Sequence, residues 1–263
     1  MPTPIEVLLD PISLTVFALY AALILWEHFF PARELPRTPA WRMRGLAAFA
    51  LFFTLSTYLP LLWTEYLLSW QFFDLSHLGT ATGALVGVLV YEGLGYFYHR
   101  GMHASDLLWR GLHQMHHSAE RVDTWSAFWF HPLDMIGWTA MSSLALPLVV
   151  GLSASATTTA LLVFTLLSIF QHTNVRTPRW LGCIVQRPES HSWHHARGRH
   201  RNNYADVPLF DILFGTFDNP RDFAPATGFY DGASSRLRDM LLFREVSVNP
   251  LTHGEPERSA PPQ

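Results

Sequence analysis

Lysine is missing from the 263 residues, and all eighteen basic side chains are arginine. Charge of either sign is scarce, at 15% of the chain, against roughly 25% in a soluble domain. With 49% hydrophobic residues, ten Trp and nineteen Phe, that shortage leans towards a membrane. Cysteine is nearly missing as well. Cys183 stands alone, which excludes an intramolecular disulfide and a thiolate metal site. There is no GxGxxG and no CxxC, so no dinucleotide fingerprint and no iron–sulfur site is expected. No basic block is interleaved with aromatics, which argues against nucleic acid as a partner. The net charge of -3 names no partner of its own.

What is present is apolar length. A spanning helix needs roughly 20 mainly apolar residues. The runs 12–26, 45–64 and 78–98 read as three such helices. Two shorter runs, 135–150 and 154–170, meet at Gly151-Leu152-Ser153 and read as a spanning hairpin or a re-entrant pair. The N-terminus opens with Glu6 and Asp10 and has neither a basic flank nor a small-residue cleavage site, so a cleavable signal is not expected. Arginine is missing from 1–32, 65–99 and 122–175. Five crossings with the N-terminus outside put every arginine on the inner face, where basic residues stay. Both histidine-rich stretches, 99–131 and 172–200, fall on that same face.

Fourteen histidines are the most unusual content. His99 and His103 are spaced i, i+4. His113, His116 and His117 form an HxxHH box, as do His191, His194 and His195. Residues three and four apart share a helix face, so each box aims two or three imidazoles the same way. Imidazole suits iron, zinc, copper and nickel. His131 before the hairpin and His172 after it return to the same face; His172 is a candidate ligand, and His131 is equally a candidate ligand or a hydrogen-bond partner of one. His28, His77 and His253 have no histidine at helical spacing and read as interfacial or core residues. His200, in Arg-Gly-Arg-His-Arg, reads as part of a solvated basic stretch.

The stretch YEGLGYFYHRGMHASDLLWRGLHQMHHSAERVDTWSAFWFHP, together with QHTN at 171–174 and the closing run from His191 through Asn203, Tyr204, Asp211 and Phe214-Gly215-Thr216, resembles the fatty acid hydroxylase superfamily over roughly 85–220. That superfamily includes sterol desaturases and alkylglycerol monooxygenase. The resemblance implies an all-α fold, a polytopic membrane bundle of about four to five transmembrane helices with a cytoplasmic histidine-rich cap holding a dimetal site. Its expected parts are N-terminal membrane helices over 1–80, a catalytic domain over 81–220 and a cytoplasmic tail over 221–263. Two iron ions, or zinc after purification, are expected on His99, His103, His113, His116, His117, His172, His191, His194 and His195, with His131 as a further candidate. Glu92, Asn174 and Asp211 are the candidate catalytic-site residues, and Glu92 is expected to hydrogen-bond a ligand's second ring nitrogen.

The implied reaction is O2-dependent hydroxylation or desaturation of a lipid C–H bond, with a fatty-acyl or membrane lipid favoured over a sterol. The substrate pocket is expected to be lined from 135–170 and the inner ends of the first three helices. Two electrons come from a separate ferredoxin, cytochrome b5-like protein or reductase. A short, lysine-free chain suggests a bacterial inner membrane. Two other classes fit the sequence less well. An intramembrane zinc hydrolase lacks HExxH. A divalent-metal transporter holds its ligands at the bilayer midplane on broken helices, whereas these boxes begin at a helix end.

Overall fold

A computed structural model of the protein describes residues 1–249, so His253 lies outside the described residues. Among these the regular elements are helical, joined by a single antiparallel bridge between Ala196 and Thr227. Helices α1 (Pro4–Leu9) and α2 (Pro11–Phe29) each open on proline behind a capping side chain, Thr3 and Asp10. Proline's missing N–H costs nothing at a first helical turn. The next run divides into α3 (Trp41–Tyr58) and α4 (Pro60–Leu68). Sequence had suggested one uninterrupted helix there. Pro60 starts a new segment because it cannot donate to the preceding turn.

Helix α5 spans Thr80–Ala104. After the single turn α6 (Asp106–Leu108), residues Trp109–His113 form a π turn that runs into α7 (Gln114–His117). Helix α8 (Pro132–Ser143) widens into a second π segment at Leu144–Val150. Then come α9 (Ala154–Phe170), α10 (Pro188–His194), α11 (Leu209–Leu213) and α12 (Leu237–Leu241).

Three helical stretches are long and apolar enough to cross a membrane: Pro11–Phe29, Trp41–Leu68 and Pro132–Val150. Ala154–Phe170 is apolar but shorter. The third helix expected from sequence is present as α5, though glycines, tyrosines and Glu92 interrupt its apolar run. Its glycines serve packing instead. A Cβ on Gly83 would meet that of Ala156 at 2.8 Å, and one on Gly87 would meet Leu152 Cδ1 at 2.7 Å. Small residues let α5 and the start of α9 approach closely, as helix pairs do in lipid.

Polar pins tie the bundle to the cap. Glu27, near the end of α2, accepts from the backbone N–H of Thr124 (2.7 Å), the Thr124 hydroxyl (2.6 Å) and the backbone N–H of Asn174 (2.9 Å). Trp41 Nε1 donates to Asp123 at 2.9 Å, and Arg121 pairs with the same carboxylate. An aromatic core of Tyr20, Phe49 and Phe128 fills the space between α2, α3 and the loop after α7, with Tyr20 and Phe49 stacked at 4.5 Å. Arg33 donates to the Ala224 carbonyl at 2.5 Å and Arg121 to that of Pro36 at 2.8 Å. The arginine-rich α2–α3 connection therefore shares one end of the bundle with the cap. Residues 221–249, set apart as a tail on sequence grounds, pack into that cap. Met240 and Val246 are fully buried there, and Gln114 bonds the backbone at Arg244 and Val246.

Candidate metal centre

Each histidine box sits where a helix stops. His99 and His103 close α5, His113 ends the π turn with His116 and His117 in α7, and His191 and His194 lie in α10 with His195 as its cap. His172 follows α9 by two residues. π turns recur at functional sites because the extra residue re-aims the side chains beyond it. Here that residue lies between the end of α5 and the second box.

The boxes converge on two points. One ring nitrogen from each of His99, His103, His113, His117 and His194 lies within 4.8 Å of the others, and the same holds for His116, His172, His191 and His195. The groups abut, since His117 stacks on His195 with ring centroids 4.2 Å apart, and His116 meets His195 at 4.6 Å. Eight of the nine side chains are buried, and His103 is partly so.

Hydrogen bonds on the outer nitrogens fix the tautomers. His99 Nδ1 donates to the Tyr204 carbonyl (2.7 Å), His172 Nδ1 to that of Ser168 (2.6 Å) and His194 Nδ1 to that of Asn202 (2.6 Å). A carbonyl only accepts, so the inner Nε2 of each ring is a lone pair. His113 Nδ1 donates to the Asp134 carboxylate at 2.8 Å. His99 Nε2 and His113 Nε2 then face each other at 2.9 Å with no proton left to share. The inner Nε2 atoms of His103, His117 and His194 are buried without a hydrogen-bond partner. In the second group His116, His172, His191 and His195 run Nε2 to Nε2 at 3.0–3.1 Å.

Such converging lone pairs repel unless a cation lies among them. Nitrogens bound at about 2.0–2.1 Å to one ion stand roughly 3 Å apart when near right angles, so this donor set fits a pair of metal ions. Burial also holds the His113, His116, His117, His191, His194 and His195 rings well below the usual histidine range, helped by the neighbouring imidazoles. Burial pushes His172 down to about 4. All are neutral at neutral pH, as metal ligation requires.

The other expected residues fall elsewhere. His131 is in neither group. It caps α8, its Nδ1 accepting from the Leu133 N–H at 3.1 Å. Glu92 bonds no imidazole, contrary to expectation. Its Oε2 accepts from the backbone N–H groups of Asp206 (2.8 Å) and Val207 (3.1 Å), because that loop crosses α5 directly over the acid. Asp211 accepts from the backbone N–H groups of Tyr204 and Ala205 at 2.9 and 3.0 Å and from the Thr216 hydroxyl at 2.7 Å. Asn174 donates its side-chain amide to the Arg33 carbonyl at 2.7 Å. Glu92 and Asp211 pin the loop that carries Tyr204, Asn174 ties the segment after His172 to the α2–α3 connection, and none of the three touches a ring nitrogen. His200, read as solvated, is half-buried with its Nδ1 3.0 Å from His117 Nδ1. Asp134 was missed altogether. Its signal was an acid in the first turn of an otherwise apolar helix, where a charge needs a partner.

The family model for fatty acid hydroxylase matches residues 84–216. Alkylglycerol monooxygenase of Homo sapiens is 33% identical over 167 residues, covering 59% of this chain and 35% of that protein. Very-long-chain aldehyde decarbonylase GL1-1 of Oryza sativa subsp. indica is 30% identical over 153 residues, covering 53% of this chain and 24% of that protein. The matches thus span about a third or less of these relatives' length. No solved structure matches the chain significantly.

Proposed function

Because the chain belongs to the fatty acid hydroxylase family, we propose that it is a membrane-bound oxygenase that hydroxylates an unactivated C–H bond of an aliphatic lipid. Two iron ions would be held by His99, His103, His113, His117 and His194 in one group and by His116, His172, His191 and His195 in the other. When bound, such an iron pair supplies the reduction of O2 and the abstraction of hydrogen from carbon. One oxygen atom enters the C–H bond and the other leaves as water. Two electrons and two protons come from outside the chain, through a separate ferredoxin, cytochrome b5-like protein or reductase. The observation that carries this reading is the convergence of nine neutral imidazoles in two abutting groups at one end of an apolar bundle.

The chain's own residues orient the donors and keep the site dry. The carbonyls of Tyr204, Ser168 and Asn202 and the carboxylate of Asp134 hold four rings with Nε2 inward. Aromatic rings wall the site. Phe130 stacks on His116 at 4.2 Å, Trp109 lies 5.1 Å from both His103 and His117, and Trp138 is 5.9 Å from His99. That lining suits a hydrocarbon chain and excludes bulk water, which strengthens electrostatics inside. The names of the two relatives, an alkylglycerol monooxygenase and a very-long-chain aldehyde decarbonylase, support a long alkyl substrate, which we take to be a fatty-acyl or membrane lipid.

The deciding experiment is metal analysis of protein purified in mild detergent from iron-supplemented cells, with spectra recorded after anaerobic reduction and again after O2. About two irons per chain and an oxygen-dependent change are the expected result, with zinc-loaded samples reconstituted with iron before scoring. A folded protein without stoichiometric metal sinks the proposal. His116→Ala and His194→Ala should each lower metal content and abolish lipid oxidation.

A further inference from the structure

His200 belongs to the loop after α10, five residues beyond His195, in a run otherwise made of arginine and asparagine. The chain turns through left-handed backbone there, with φ of 40° at His200, 69° at Asn202 and 54° at Asn203. That turn brings the His200 ring inward, 5.1 Å from the Phe229 ring and 5.8 Å from Trp109. Its Nδ1 meets Nδ1 of His117 at 3.0 Å.

His200 belongs to neither histidine group, so no cation would screen this contact, and two neutral ring nitrogens that close then share one proton. Two lone pairs or two N–H groups would repel. If His200 were the donor, His117 would carry its own proton on Nε2, and that atom has no acceptor among its neighbours. A buried N–H left unpaired in a crowd of imidazoles is the costlier arrangement. The proton therefore sits on His117 Nδ1, and His200 accepts it. This frees the His117 Nε2 lone pair for the group it forms with His99, His103, His113 and His194.

We propose that His200 is a positioning residue of the metal centre, an acceptor that fixes the tautomer and ring orientation of His117. It does for His117 what the Tyr204, Asn202 and Asp134 acceptors do for His99, His194 and His113. The inference rests on the metal-centre reading above and adds to it the fourth outer hydrogen bond of the five-histidine group.

The test compares His200→Leu, which removes the acceptor, with His200→Gln, whose side-chain carbonyl can replace it. Neither substitution favours the left-handed backbone, so strain is matched. Iron affinity is read by chelator competition on detergent-purified protein, with circular dichroism and elution volume reporting the fold. Loss of an outer partner to a ligating histidine costs about 10- to 100-fold in affinity. His200→Leu should fall by that factor with its fold intact, and His200→Gln should recover most of it. Equal losses in both folded variants would overturn the proposal by making the imidazole itself essential. A His200→Leu protein that holds iron like the unaltered chain would overturn it alone. An unaltered chain that takes up no iron would overturn the metal-centre reading and this inference with it. Should His200→Leu fail to fold, His200→Gln decides by itself, because retained affinity supports the acceptor role and a loss of that size overturns it.

Discussion

His131 at the N-cap and Asp134 in the first turn of α8 lie three residues apart and have opposite jobs. Asp134 is fully buried and accepts from His113 Nδ1, and its other oxygen has no hydrogen-bond partner. Replacing it with leucine should leave His113 free to rotate or change tautomer, lowering metal affinity about 10- to 100-fold. Asp134→Asn retains a side-chain carbonyl and should lose less. Chelator competition on both variants checks the order, and equal affinities would remove Asp134 from the metal centre. His131 instead caps a helix. His131→Ala should cost about 0.5–2 kcal/mol of stability, as loss of an N-cap does, with metal content unchanged. A metal loss in folded His131→Ala would restore it to the ligand set. Sequence could rank neither residue, because both sit beside the same proline and only the direction of each side chain separates them.

At the scale of elements, the histidine boxes were legible because their spacing is local. An i, i+4 or i, i+3, i+4 pattern works on any helix end, and three such ends meet here. What holds those ends together was not legible, because much of it is backbone. The carbonyls of Tyr204, Ser168 and Asn202 have no residue type to betray them. Glu92 and Asp211 looked like chemistry in the sequence, yet they clamp the loop that presents the Tyr204 carbonyl. His200 was hidden by its arginine neighbours, although the Asn202-Asn203 pair hinted at a left-handed turn that could redirect it. The break at Pro60 follows from proline's missing donor, which a count of apolar residues does not weigh, and the π turn before His113 depends on packing. Helix α10 carries the most testable of these hidden supports. Arg187 is fully buried, pairs with Glu189 at 3.1 Å, and donates to the Thr177 hydroxyl and carbonyl, to Asn219 and to the Pro220 carbonyl. Glu189 accepts in turn from Thr177. Arg187→Met leaves a buried carboxylate without its cation, which should cost about 3–5 kcal/mol. Because α10 and its C-cap bear three of the nine imidazoles, the same variant should lose metal. Thermal unfolding and metal analysis in parallel check this, and a stable, metal-replete Arg187→Met would detach the α10 anchor from the site.

For the whole molecule, gathering neutral imidazoles in one dry centre sets a dependence on pH. In the unfolded chain each histidine takes up a proton near 6.5, whereas in the folded protein burial moves His172 and His200 down to about 4. Between those two values the unfolded state binds protons that the folded state refuses. Stability is therefore unaffected by these groups above the unfolded value and falls as pH drops from 6.5 towards 4. The six rings held further down extend the decline in the same direction, and more than one proton is taken up on unfolding. Bound metal is lost over the same window, since protons compete for the same lone pairs. Melting of the metal-free protein in detergent should give a nearly constant midpoint above about pH 7 and a steep fall towards about pH 5. Loading with iron should raise the midpoint at neutral pH and make the fall steeper, because each ion released is replaced by protons on several rings. A midpoint that stays level down to about pH 5 in both forms would mean that these imidazoles titrate like exposed ones. The centre would then be open to water, and it could not serve as the dry site that the proposed lipid oxidation requires.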